Sequence, residues 1–131
     1  MTPHTPGSGD NARPLALSMG EPAGIGGEVT LKAWLLRKEL GAPFFVIDDP
    51  DRLTDLSQEF GIEVPITVID TPDQTSDVFL NALPVLPVGR PVRTTPGTPT
   101  KDTASAVLES IETAVRLTLA GDAGGIVTNP I

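Results

Sequence analysis

The residues best suited to chemistry lie between Met19 and Glu28, in the stretch M-G-E-P-A-G-I-G-G-E. Gly20, Gly24, Gly26 and Gly27 punctuate a turn between the apolar run Leu15–Met19 and a helical pattern that begins at Glu28. A strand, a glycine-rich turn and a helix in that order present backbone N–H groups at a helix start, where an anion or a cofactor phosphate can sit. Glycine permits positive φ and close backbone approach there. No Lys-Ser or Lys-Thr follows the last glycine, so this is not a Walker loop. The spacing G-x-x-x-G-x-G, with Pro22 inside it, also departs from the dinucleotide fingerprint. Two readings stand: a cofactor-binding turn at Gly24, Ile25 and Gly26, or a tight connection. Glu21 and Glu28 are either a carboxylate pair or, for Glu28, a charge that favours the positive end of the helix.

Other candidates are more isolated. Asp48 and Asp70 fall at strand ends, where an acidic residue can hold a ribose or simply cap a turn. Arg90 and Arg93, in a proline- and threonine-rich loop over 89–99, could meet a phosphate, meet a partner subunit, or be solvated. His4 is the single histidine, and alone in the tail it reads as a solvated side chain rather than a metal ligand. Trp34 reads as core packing or as a stacking surface for a ligand.

The elements that must position these residues follow from periodicity and punctuation. Strands are expected at 15–19, 44–47, 66–69 and 124–128. A helix over 27–40 puts Val29, Ala33, Leu36 and Leu40 on one side. A second helix opens at Asp49 with Pro50 at its first position, carries Leu53, Leu56 and Phe60, and stops at Gly61. Val85, Leu86 and Val88 could make a strand, but Pro84 and Pro87 demote it to an edge strand or an extended segment. Residues 101–120 form the most regular helix, with Ala104, Val107, Leu108, Ile111, Val115 and Leu119 on one side and an i,i+4 pair of Glu112 and Arg116. Met1 to Pro14 reads as a mobile tail without the character of a secretory signal.

Composition narrows the partners. With 39% apolar and 20% charged residues, the chain fits an ordinary globular domain or part of one. Its net charge of -8 opposes nonspecific nucleic-acid binding and anionic membrane surfaces. The absence of cysteine excludes disulfides and thiolate zinc sites, and it suits a cytoplasmic location. No apolar run is long enough to span a membrane. The expected fold is α/β, with three layers around a parallel or mixed sheet.

Met19–Glu28 resembles the opening motif of the 4-hydroxythreonine-4-phosphate dehydrogenases of vitamin B6 biosynthesis, M-G-[DE]-P-A-G-I-G-P-E. Gly125–Ile131, G-I-V-T-N-P-I, resembles the second block of that family. The resemblance covers about Leu15 to Ile131, with a more distant likeness to isopropylmalate and isocitrate dehydrogenases. It implies oxidation of 4-phosphooxy-L-threonine by NAD with help from a divalent metal (Zn, Mg or Co). The product loses CO2 to give 3-amino-2-oxopropyl phosphate. It also implies a two-domain homodimer with its site in the cleft, and places Gly24, Ile25 and Gly26 beside NAD. Two substitutions stand out. Gly27 replaces the usual proline and loosens the turn, and Asn129 stands where some members carry glycine or alanine. The family's GHT substrate motif, metal histidines and phosphate-binding lysine and arginine have no counterparts here. Residues 15–131 are therefore expected to be the amino-terminal part of such an enzyme, inactive alone, with no catalytic or metal residue to assign. The alternatives are a related D-threonate or erythronate phosphate dehydrogenase, or a non-catalytic anion-binding fragment.

Overall fold

The computed structural model describes residues 13–89, 91–92 and 97–130. His4, Arg90, Arg93 and most of the expected amino-terminal tail lie outside them. The elements are β1 (Leu15–Ser18), α1 (Gly26–Leu35), β2 (Phe44–Asp48), α2 (Pro50–Glu59), β3 (Ile66–Val68), a 3-10 turn (Pro72–Gln74), α3 (Thr75–Val78), β4 (Leu83–Pro87), α4 (Lys101–Leu119) and β5 (Gly125–Thr128). The strands form one sheet in the order β3-β4-β2-β1-β5, and every neighbouring pair is parallel. This is the expected α/β architecture, with the sheet parallel throughout the described residues.

Central β1 and β2 are buried on both faces because a helix layer covers each face. On one side Leu31 and Trp34 of α1 and Leu53 of α2 pack against Leu17, Phe44, Val46 and Val85. On the other, Ala106, Val107 and Ala114 of α4 pack against Ala16, Phe45 and Ile47. Trp34 is a core residue. Its Nε1 donates to the Phe79 carbonyl at 2.8 Å, and the Arg37 guanidinium lies 3.6 Å from its ring centroid.

Three expectations are corrected. First, β4 is interior, hydrogen-bonded between β2 and β3. Its prolines are tolerated through register. Leu83 N donates toward β3, to the Pro65 carbonyl, and Val88 N donates toward β2, to the Asp48 carbonyl. Alternation then points the missing N–H of Pro84 toward β2 and that of Pro87 toward β3. The ladder with β2 begins only at Val85, and the ladder with β3 ends there. Neither proline interrupts a bond.

Second, α1 ends at Leu35, five residues early, and its core face is Gly27, Thr30, Leu31 and Trp34. The expected stripe of Val29, Leu36 and Leu40 is exposed. Third, α4 buries Thr103, Ala106, Val107, Ser110 and Ala114. Leu108 is 59% and Leu119 84% exposed. Small residues win the core face of α4 because they let the helix lie close to the sheet and place a hydroxyl under it.

That hydroxyl belongs to Ser110. Its Oγ accepts from Met19 N at 3.0 Å and donates to the Ile47 carbonyl at 2.8 Å, tying α4 to the ends of β1 and β2. Ser110→Ala strands both backbone groups in a buried site, and we expect a loss of about 1–3 kcal/mol in urea denaturation. An unchanged midpoint would show that the tie is idle.

Candidate functional site at the carboxyl end of the sheet

Open parallel sheets place their sites outside the carboxyl ends of the strands, and here β1 delivers the glycine turn to that edge. Gly20 starts the turn at φ +72°. Glu21 then closes it. Its carbonyl accepts from Gly24 N at 2.9 Å, and its Oε1 accepts from Ala23 N at 3.2 Å. Ile25 occupies the N-cap position of α1, and no side chain caps the first helical turn. Uncapped first-turn amides are hydrogen-bond donors at the positive end of a helix. Gly24 and Ile25 are exposed there, whereas Gly26 is buried.

The glycines answer to different demands. Of the four in the turn only Gly20 has positive φ. Gly26 is required for closeness, since a Cβ on it would sit 2.6 Å from the Met19 carbonyl oxygen. Gly27 has a packing role. It is buried, and a Cβ there would meet Leu56 Cδ1 at 2.5 Å and Arg52 Nη1 at 3.2 Å, so α1 and α2 approach across it.

The second motif arrives beside the first. Strand β5 pairs with β1 from Leu15↔Gly125 to Ser18↔Thr128. Asn129 then turns under the glycine turn and is buried. Its Nδ2 donates to the Ser18 carbonyl at 3.0 Å and to Thr30 Oγ1 at 2.8 Å. The Pro130 carbonyl accepts from Glu21 N at 3.0 Å. Sequence reasoning treated Asn129 as a tolerated substitution and missed Thr30. No local signal announces a contact between residues 99 positions apart.

The other candidates separate. Glu28 pairs with Lys32 at 2.7 Å, and Glu21 is spent on its own turn, so no bond joins the two carboxylates. Of the two readings of Asp48, the local turn role holds and the ribose role does not, because the carboxylate is buried in an ion pair. Arg52 Nη2 donates to its Oδ2 at 2.6 Å, and Arg52 Nε donates to its Oδ1 at 3.1 Å. Asp49 N also donates to Oδ1, at 2.6 Å. Burial pushes the Asp48 carboxyl above its ordinary value, and the Arg52 charge opposes that shift. The i,i+4 spacing of Asp48 and Arg52 was a readable signal for this pair. Asp70 lies at the end of edge strand β3, three strands from β1, where its N–H donates to Gln74 Oε1 at 2.6 Å.

Beside the turn is an open cleft of about 660 Å³, lined by Gly24, Glu28, Asp49, Asp51, Asp55 and Arg52 among others. Its carboxylates suit hydroxyl donors better than phosphates. Among the described residues no group of three or more His, Cys, Asp or Glu side chains could hold a metal ion, and no helix is long and apolar enough to cross a membrane.

Comparison with known proteins identifies relatives of this chain. The chain is 48% identical over 122 residues to a 4-hydroxythreonine-4-phosphate dehydrogenase of Methylorubrum populi, covering 91% of the chain and 35% of that protein. It is 43% identical over 119 residues to one of Xanthobacter autotrophicus, covering 90% and 34%. The crystal structure of the Klebsiella pneumoniae 4-hydroxythreonine-4-phosphate dehydrogenase superposes with a TM-score of 0.75 at 25% identity, over 90% of this chain and 37% of that one. The chain thus spans about a third of the length of these relatives. A family model described as pyridoxal phosphate biosynthetic protein PdxA matches residues 40–131, and the chain belongs to that family, the 4-hydroxythreonine-4-phosphate dehydrogenases.

Proposed function

We propose that residues 15–131 are the amino-terminal, cofactor-side part of an NAD-dependent dehydrogenase that oxidises 4-phosphooxy-L-threonine. The observation that carries this reading is the joining of the Met19–Glu28 turn to the β5 exit at Asn129 and Pro130. Both motifs of the family converge at the edge where such a fold binds its ligand. In the reaction the C3 hydride passes to NAD, the hydroxyl proton leaves to a base, and 2-amino-3-oxo-4-phosphooxybutanoate forms. That product loses CO2 to give 3-amino-2-oxopropyl phosphate.

The part played by this chain is binding. The uncapped first turn of α1, reached through Gly24, Ile25 and Gly26, offers N–H donors to the cofactor pyrophosphate. The carboxylates of the neighbouring cleft suit ribose hydroxyls. A divalent metal (Zn, Mg or Co), which would ease departure of the hydroxyl proton, does not fit the described residues. We assign its ligands, with the catalytic base and the phosphate-binding side chains, to the part of the longer relatives that this chain does not span. Homodimer formation and a cytoplasmic location are part of the same proposal.

The test is a turnover assay on the chain alone with NAD and 4-phosphooxy-L-threonine, following NADH. Saturable NAD binding without NADH formation is expected. Sustained turnover by the isolated chain would overturn the division of labour proposed here.

A further inference from the structure

The polar contacts between the two motifs form a continuous relay. Both hydrogens of the Asn129 amide are spent, one on the Ser18 carbonyl at 3.0 Å and one on Thr30 Oγ1 at 2.8 Å. Having accepted that bond, the Thr30 hydroxyl donates its own hydrogen to the Gly26 carbonyl at 3.0 Å. Gly26 is the first residue of α1, so the relay ends inside the turn that presents the amides. Thr30 is 1% and Asn129 5% exposed, and water does not compete for these bonds.

Steric closure supports the polar relay. A Cβ on Gly20 would lie 2.7 Å from Asn129 Cβ, and one on Gly26 would lie 3.3 Å from the same atom. The turn therefore closes around the Asn129 side chain from two sides. It cannot shift toward the strand exit without collision, nor away from it without breaking buried bonds.

We propose that Thr30 and Asn129 are positioning residues, which hold the Ile25–Gly27 amides in the geometry that receives the cofactor pyrophosphate. This rests on the reading of the turn as a cofactor site and adds which side chains fix it. Preorganised donors bind an anion without first being ordered, so loosening them weakens binding even when the fold survives. A separate bond, from Glu21 N to the Pro130 carbonyl at 3.0 Å, also ties the turn to the strand exit.

Amide hydrogen exchange and NAD titration test this on the intact chain, in Thr30→Val, Thr30→Ser and Asn129→Ala. Valine keeps the shape of threonine and removes the hydroxyl. Serine keeps the hydroxyl. In Thr30→Val we expect exchange at the hydrogen-bonded Glu21, Gly24 and Val29 amides of the turn to rise roughly tenfold and NAD affinity to fall by a similar factor, the value of about one net buried hydrogen bond. Exchange at Phe45 and Val46 in β2 should not change, and Thr30→Ser should behave as the parent. Asn129→Ala leaves the Thr30–Gly26 bond in place, and should act in the same direction if Thr30→Val fails to fold. Unchanged exchange in the turn would overturn the relay. Faster exchange with unchanged NAD affinity would overturn its positioning role while leaving the cofactor reading intact. Failure of the parent chain to bind NAD would overturn the cofactor reading itself, and the positioning role with it.

Discussion

Replacing Gly20 with alanine should cost about 2–5 kcal/mol in urea denaturation, the combined order of a left-handed non-glycine backbone and an overpacked core. Both penalties are visible at the residue. Its φ is +72°, and a Cβ would lie 2.6 Å from the Pro130 carbonyl oxygen and 2.7 Å from Asn129 Cβ. Pro130 O is backbone, and it already accepts from Glu21 N, so it cannot step aside without loosening the β5 exit. Gly61 supplies the control. Its φ is +64°, yet nothing lies within 4 Å of where its Cβ would be. Gly61→Ala should therefore cost only the backbone part, about 1–2 kcal/mol. Equal losses at the two positions would mean that turn and strand exit are not closed on one another.

Removing Arg52 should have a comparable effect with a distinctive pH dependence. Arg52→Met leaves the Asp48 carboxylate buried without its counter-charge, a change of about 3–5 kcal/mol near neutral pH. Asp48 is fully buried and its folded-state carboxyl is raised above its ordinary value of 3.8. A raised carboxyl means that the folded state holds the proton more tightly than the unfolded chain does. Its contribution to stability is thus complete below 3.8 and is lost as pH rises through the folded-state value. Without Arg52 the carboxyl is raised further, so the loss continues to higher pH. The gap between parent and Arg52→Met should be small in acid and widen with rising pH. A gap independent of pH would show that Asp48 is not the group left unpaired.

Much of the sheet was legible because apolar runs bounded by Gly, Pro and Asp leave few alternatives. Phe44–Asp48 with its Asp49-Pro50 helix start is the clearest case, and the Asp49 side chain does accept from Asp51 N at 3.0 Å. Helix faces were less legible. Periodicity finds the most apolar stripe of a helix, but α1 turns Leu31 and Trp34 to the sheet, α4 turns mostly small residues to it, and Leu36, Leu108 and Leu119 stay outward. Close approach of α4 to the sheet favours Ala106 and Ser110 over leucine, close approach of α1 to α2 favours Gly27, and composition reveals neither preference. The interior position of β4 was hidden because prolines identify an edge only when their missing N–H would face a partner. At the site, the glycine turn was legible as a motif. What holds it was not, because the contacts of Ser18, Thr30 and Asn129 join residues far apart in sequence.

The most direct test of the whole account is an amide-resolved titration of the chain with NAD. Saturable shifts centred on Gly24, Ile25, Gly26 and Gly27, spreading to Asn129 and leaving Asp70 at the far edge of the sheet unmoved, are the predicted result. Shifts confined to the β3–β4 edge, or none at any concentration, would contradict it.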